Sequence, residues 1–127
     1  MVIMYSEPLA HMLYAAADFV IVPSLFEPCG LTQMIAMRYG ALPIVRRTGG
    51  LADTVFDISS GDKNANGVVF AGADEGACNA AVDRAFSLFR DQPDKFKELS
   101  VRNMDSDMSW NKSGEEYHNL YRRVKAI

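Results

Sequence analysis

Only two of the 127 residues are cysteine, Cys29 and Cys78, and they form neither a C-x-x-C pair nor a disulfide framework. That scarcity fits a reducing compartment and excludes a small fold stapled by disulfides. Histidine is as sparse: His11 and His118 stand far apart without metal-ligand spacing, so no metal site is expected and both read as structural or surface residues. A positive balance is missing too. With a formal net charge of −3 the chain offers no general field to nucleic acid or an anionic membrane, and neither is expected as a partner. Any phosphate must therefore be met by local geometry. The apolar runs are short; Phe19-Val20-Ile21-Val22 suits a buried strand and falls far below the length that crosses a bilayer. No signal-like or transit-like stretch precedes Tyr5, and there are no internal repeats or low-complexity tracts.

What is present suffices for one domain and not for two of ordinary size. Apolar residues make up 49% of the chain, enough to build a core, and the 23% charged fraction is ordinary for a globular protein. Strand and helix alternate. Val2-Ile3-Met4 reads as the end of a strand, and Pro8 opens a helix in which Leu9, Met12, Leu13 and Ala16 recur at helical spacing. Phe19 to Val22 and Leu42 to Val45 read as strands buried on both faces. Between them lies a helix from Leu31 to Tyr39, stopped by Gly40. Gly49-Gly50 reads as a loop, Leu51 to Asp57 as a short helix, and Ser59 to Asn64 as a polar surface loop. A strand from Gly67 to Phe70 follows, then helices over 74–89, 93–104 and 113–125. Strands separated by helices pair in parallel, so the fold class is α/β with an open, Rossmann-like sheet. Such sheets usually hold five or more strands. This chain enters the sheet midway, so an incomplete domain with exposed apolar surface is expected.

In sheets of this kind ligands collect beyond the carboxyl ends of the strands. There the strand Phe19–Val22 runs into Pro23-Ser24-Leu25-Phe26-Glu27-Pro28-Cys29-Gly30, and a helix follows. A carboxylate and a glycine thus stand just before free backbone N–H groups that suit a phosphate. Gly30 lets a ligand approach the backbone, and Glu27 stands within reach of a sugar hydroxyl. An isolated Glu-Pro at such a place is more often a turn with a solvated acid, and the helix dipole alone does not reverse that.

The full string does. Glu27-Pro28-Cys29-Gly30-Leu31-Thr32-Gln33, then Ala36-Met37-Arg38-Tyr39-Gly40, Pro43-Ile44-Val45, Arg47-Thr48-Gly49-Gly50-Leu51 and Asp53-Thr54-Val55, resembles the C-terminal domain of bacterial-type glycogen synthases and plant starch synthases. The resemblance runs from Tyr5-Ser6-Glu7 to Trp110 and the last tyrosines, and Met34 to Gly40 is worded closer to soluble plastid starch synthases. It implies the C-terminal portion of a GT-B fold, in which two Rossmann-like domains face a cleft. It also implies a glucosyltransferase, moving glucose from ADP-glucose to the non-reducing end of an α-1,4-glucan with retention of configuration and with no cofactor. On that resemblance Glu27 is the cleft glutamate at the donor glucose, stabilising charge in an oxocarbenium-like transition state and not acting as nucleophile. Backbone groups of Cys29, Gly30 and Leu31 would hold sugar hydroxyls, and the N–H groups of Leu31 and Thr32 the distal phosphate. Many related retaining transferases carry a second glutamate eight positions on, holding the ribose; here Ile35 stands there, as in starch synthases.

Other residues keep two readings. Tyr5 either packs on the adenine, as the resemblance implies, or is a tyrosine at the edge of the core. Arg47, Thr48, Gly49 and Gly50 follow the next strand at the same rim, beside Arg46, and either admit an anion or sugar or only make a tight turn. Cys29 reads either as a nucleophile or redox group or, with no histidine near it in sequence to activate it, as a small polar wall residue. Trp110 is expected to anchor the closing segment, residues 108–127, whose helix carries an apolar stripe of Tyr117, Leu120, Tyr121 and Val124. The family's Lys-x-Gly-Gly-Leu loop and its diphosphate-binding arginine and lysine do not occur here. The chain over 1–127 is thus expected to be one incomplete domain, inactive alone and completed by the N-terminal domain of the same enzyme. Its location would be the plastid, or the cytoplasm for a bacterial glycogen synthase. Competing readings are a transferase using another nucleotide sugar, and a non-catalytic nucleotide- or glucan-binding module or inert truncated product.

Overall fold

A computed structural model describes residues 3–125, with the side chain of Lys112 left aside. The chain runs α1 (Glu7–Ala16), β1 (Phe19–Val22), α2 (Thr32–Arg38), β2 (Leu42–Arg46), α3 (Gly49–Thr54), β3 (Val68–Phe70), α4 (Glu75–Asp91), α5 (Pro93–Asp105) and α6 (Trp110–Lys125). The three strands form one parallel sheet in the order β1-β2-β3, with Phe19 opposite Leu42 and Ile44 opposite Val68. This is the expected α/β unit with helices flanking the sheet.

The helix ends follow local chemistry. Ser6 accepts a hydrogen bond from the Leu9 N–H at 3.4 Å, and Pro8 sits in the first turn of α1, where a missing N–H costs nothing. Asp74 caps α4 by accepting from the Ala77 N–H at 2.9 Å. Gly40 ends α2 with φ +87, which a residue with a Cβ rarely adopts. Packing covers both faces of the sheet. Val22, Val45, Leu51 and Val55 form one cluster; Ile44, Val68 and Phe70 meet Ala81 and Ala85 of α4 on another side. Leu42, Leu88 and Leu99 close a third cluster at the start of the strands. Phe19 joins it with Phe96 and Phe89, whose ring centroids stand 5.3 and 6.1 Å away.

Several expectations are corrected. Val2 lies outside the described residues, and Ile3 and Met4 are not strand. β1 is less covered than its apolar run suggests, with Ile21 47% exposed where no helix among the described residues covers it, whereas β2 is buried from Leu42 to Val45. Gly49 and Gly50 open α3 instead of preceding it, and that helix stops at Thr54, leaving Asp57 to pair with Gly67 alongside β3. α6 starts at Trp110, three residues before the expected start at 113; Trp110 is 76% exposed, and its ring centroid stands 6.5 Å from that of Tyr117.

The loop after α3 is fastened by an ion pair 27 residues apart in sequence. Asp57 Oδ1 and Oδ2 each accept from Arg84 at 3.0 Å, and the same carboxylate accepts the N–H of Ser59 at 2.8 Å and of Val69 at 2.6 Å. Burial favours the neutral acid, yet the hydrogen bonds from Arg84, Val69 and Ser59 together outweigh it and hold the carboxyl below its ordinary value. A lowered folded pKa means that the unfolded chain takes up the proton first as pH falls. The stabilisation is therefore whole above about pH 4 and drains away below it. Asp57→Asn is expected to cost about 2 kcal/mol at pH 7. In urea unfolding the gap between the two proteins should shrink toward pH 2.5; a gap independent of pH would contradict the ion pair.

Candidate functional site

Residues 23–31 cross from the end of β1 to α2 along the carboxyl rim of the sheet, and Arg46 to Gly50 leave β2 at the same rim. The two connections are knit together. The Gly50 N–H donates to the Glu27 carbonyl at 3.1 Å and to the Pro28 carbonyl at 3.3 Å. A Cβ on Gly49 would overlap the Glu27 carbonyl, and one on Gly50 would overlap that of Cys29. These glycines therefore serve the close approach of two loops, which accounts for them without a ligand.

Within the loop, the Ser24 hydroxyl donates to Glu27 Oε2 at 3.0 Å, fixing one oxygen of a half-buried carboxylate. Gly30 has φ +74, and any Cβ there would press on Gln33 and on the Glu27 side chain, so glycine is required on two counts. Gln33 is fully buried; its Nε2 donates to the Gly30 carbonyl at 3.1 Å and to Thr54 Oγ1 at 3.0 Å. Thr54 in turn donates to the Gly50 carbonyl at 2.7 Å, closing a knot between α2, α3 and the Glu27 loop. Leu31, at the N-cap of α2, makes no side-chain cap hydrogen bond, and the first N–H groups of any helix lack an intrahelical partner, the feature by which helix starts receive anions.

Glu27, Gly30 and the start of α2 at Thr32 are thus one connected patch, with Gly49 and Gly50 packed beneath it. Cys29 and Leu31 are exposed on its outer side. Arg47 is exposed, and its N–H donates to the Phe70 carbonyl at 2.7 Å; Thr48 makes no side-chain cap. Tyr5, 90% exposed ahead of α1, is not bonded to the patch. Sequence reasoning gave no role to Ser24, Gln33 or Thr54. For Gln33 a signal existed, the three-residue spacing from Gly30; Thr54 pairs over 21 residues and left none. Among the described residues no group of three or more His, Cys, Asp or Glu side chains gathers as a metal site, and no helix is long and apolar enough to cross a membrane.

Three parallel strands between helices, with two glycine-bearing connections locked at the carboxyl rim, define part of a Rossmann-like domain, a class whose ligands collect at that rim. No protein-family model matches the chain. It is 46% identical over 129 residues to a glycogen synthase of Protochlamydia amoebophila, covering 99% of this chain and 26% of that protein. It is 48% identical over 130 residues to soluble starch synthase 3, chloroplastic/amyloplastic, of Solanum tuberosum, covering 97% of this chain and 11% of that one. The catalytic domain of starch synthase IV from Arabidopsis thaliana, solved bound to ADP and acarbose, superposes with a TM-score of 0.91 at 46% identity over 99% of this chain. The chain is a homologue of the C-terminal part of the glycogen and starch synthases, and its sheet is the corresponding part of a GT-B fold. It spans about a quarter of the bacterial relative's length. Plant and bacterial relatives share the same range of identity, which does not separate them.

Proposed function

We propose that this chain is the donor-binding part of a retaining glucosyltransferase that moves glucose from ADP-glucose to the non-reducing end of an α-1,4-glucan. The observation that carries the reading is the match, at a TM-score of 0.91 along 99% of the chain, to a starch synthase domain bound to ADP and acarbose. In this reading Glu27 faces the donor glucose. Its Oε2 is engaged by Ser24, which leaves Oε1 to offset positive charge developing on the sugar. Backbone groups of Cys29, Gly30 and Leu31 receive sugar hydroxyls, and the N–H groups of Leu31 and Thr32, at the uncapped start of α2, receive the departing phosphate. Tyr5 stacks on the adenine, and Arg47 and Thr48 border the cleft. Residues 1–127 form a single incomplete domain, with 108–127 as the closing helical segment, and the N-terminal domain of the same enzyme supplies the cations for the diphosphate. The enzyme sits in the plastid if its source is a plant, and in the cytoplasm if bacterial.

Grafting tests this directly. The chain is put in place of its counterpart in the starch synthase IV catalytic domain, and labelled glucose incorporated into a maltooligosaccharide is counted. Transfer from ADP-glucose well above that from UDP-glucose is expected. A folded hybrid that transfers from neither, or that prefers UDP-glucose, contradicts the reading.

A further inference from the structure

Arg46, the last residue of β2, makes contacts that packing of the core does not require. Its guanidinium reaches across the sheet rim to the Glu27 loop, where Nη1 donates to the Leu25 carbonyl at 3.0 Å and to the Ser24 carbonyl at 3.4 Å. Its Nε is buried and, among the described residues, has no partner. A charged group with an unsatisfied buried donor is costly. An apolar residue here would pack beside Leu25, Phe70 and Cys78, which line the same small cavity of about 200 Å³. The arginine is thus poorly explained by stability.

Position explains it. Residues 23–31 contain no helix or strand, and Leu25 and Phe26 are 73% and 80% exposed, so apolar packing does not hold that turn. Its far end is held by the Gly50 N–H on the carbonyls of Glu27 and Pro28. Its near end is held by Arg46 on the carbonyls of Ser24 and Leu25. The residue whose backbone Arg46 grips, Ser24, is the one whose hydroxyl holds Glu27 Oε2. The neighbouring Asp74 and Glu75 border the same cavity, which fits a fixed cation there.

We propose that Arg46 is a positioning residue for Glu27, setting the carboxylate through the Ser24–Leu25 backbone without touching the substrate. The proposal rests on the donor-site reading of Glu27. In the grafted enzyme, Arg46→Met should lower kcat for ADP-glucose by about 10- to 100-fold, the scale of a displaced reacting group. ADP affinity should stay within about threefold, since the Leu31–Thr32 amides are untouched. Arg46→Lys, which can grip one carbonyl, should recover part of the loss. In a Glu27→Gln background, Arg46→Met should cost nothing further, because the two act as a unit. Additive losses, a parallel fall in ADP affinity, an unchanged kcat, or a variant that no longer folds would each overturn the proposal by giving Arg46 a general structural role or none. If Glu27→Gln itself leaves turnover intact, the donor-site reading falls and takes this one with it, an outcome distinct from additivity.

Discussion

Exchanging Glu27 for glutamine in the grafted enzyme will cut glucose transfer from ADP-glucose by about 100- to 1,000-fold, the range for removing one charge-stabilising group from a closed site. The substitution isolates charge from shape. Glutamine has the size of glutamate, so the close contact between the residue 27 side chain and Gly30 is kept. Its amide oxygen can still accept from the Ser24 hydroxyl, now at 3.0 Å from Oε2. The carbonyl of residue 27 still receives the Gly50 N–H. Folding stability should therefore change by less than about 0.5 kcal/mol, as for substitutions that leave packing alone. The charge that the proposed function assigns to balancing the glucosyl cation is what disappears. Loss of turnover with retained ADP binding and an unchanged melting temperature is the expected pattern; turnover within threefold of the parent would remove Glu27 from the chemistry.

The second large effect belongs to Gly50. A methyl group there would overlap the Cys29 carbonyl, and backbone, not a flexible side chain, must give way. The 27–29 turn would have to lift from α3, taking with it the hydrogen bonds from Gly50 to Glu27 and Pro28. Overpacking and the lost bonds together come to about 2–4 kcal/mol for Gly50→Ala. For a chain of this size that is a fall of roughly 10 °C in melting temperature. Gly114 is the internal control. Nothing lies within 4 Å of a Cβ built there, and it sits inside α6, so Gly114→Ala should be neutral or stabilise by up to about 1 kcal/mol. Equal effects at the two positions, read by thermal unfolding, would refute the locked-loop geometry.

The strands were legible because each is a short apolar run bounded by punctuation, and their parallel pairing followed from the helices between them. The strand order was not, since it is fixed by partners remote in sequence; the apolar surface expected of an incomplete sheet is seen at Ile21, 47% exposed. Gly49-Gly50 misled for a related reason. Paired glycines usually mark a loop, but here they begin a helix, and they are glycine because the Glu27 and Cys29 carbonyls leave no room for a Cβ. The same limit hid the Asp57–Arg84 ion pair and the reach of Arg46 to Ser24, contacts spanning 27 and 22 residues. Glu27 was singled out through its neighbours. The string from Pro28 to Gln33 marked it, and the structure adds what fastens it: Ser24 on the carboxylate, Gly50 beneath, and Gln33 beside Gly30.

The claim that the turn into α2 is the donor site is tested most directly by titrating the isotopically labelled 127-residue chain with ADP while following its backbone amide resonances. The account predicts that the amides of Cys29, Gly30, Leu31 and Thr32 move together and saturate, with smaller changes at Tyr5 and none around Asp57 and Arg84. Shifts centred on the Asp57–Arg84 region, with the amides of residues 29–32 unmoved, would contradict it.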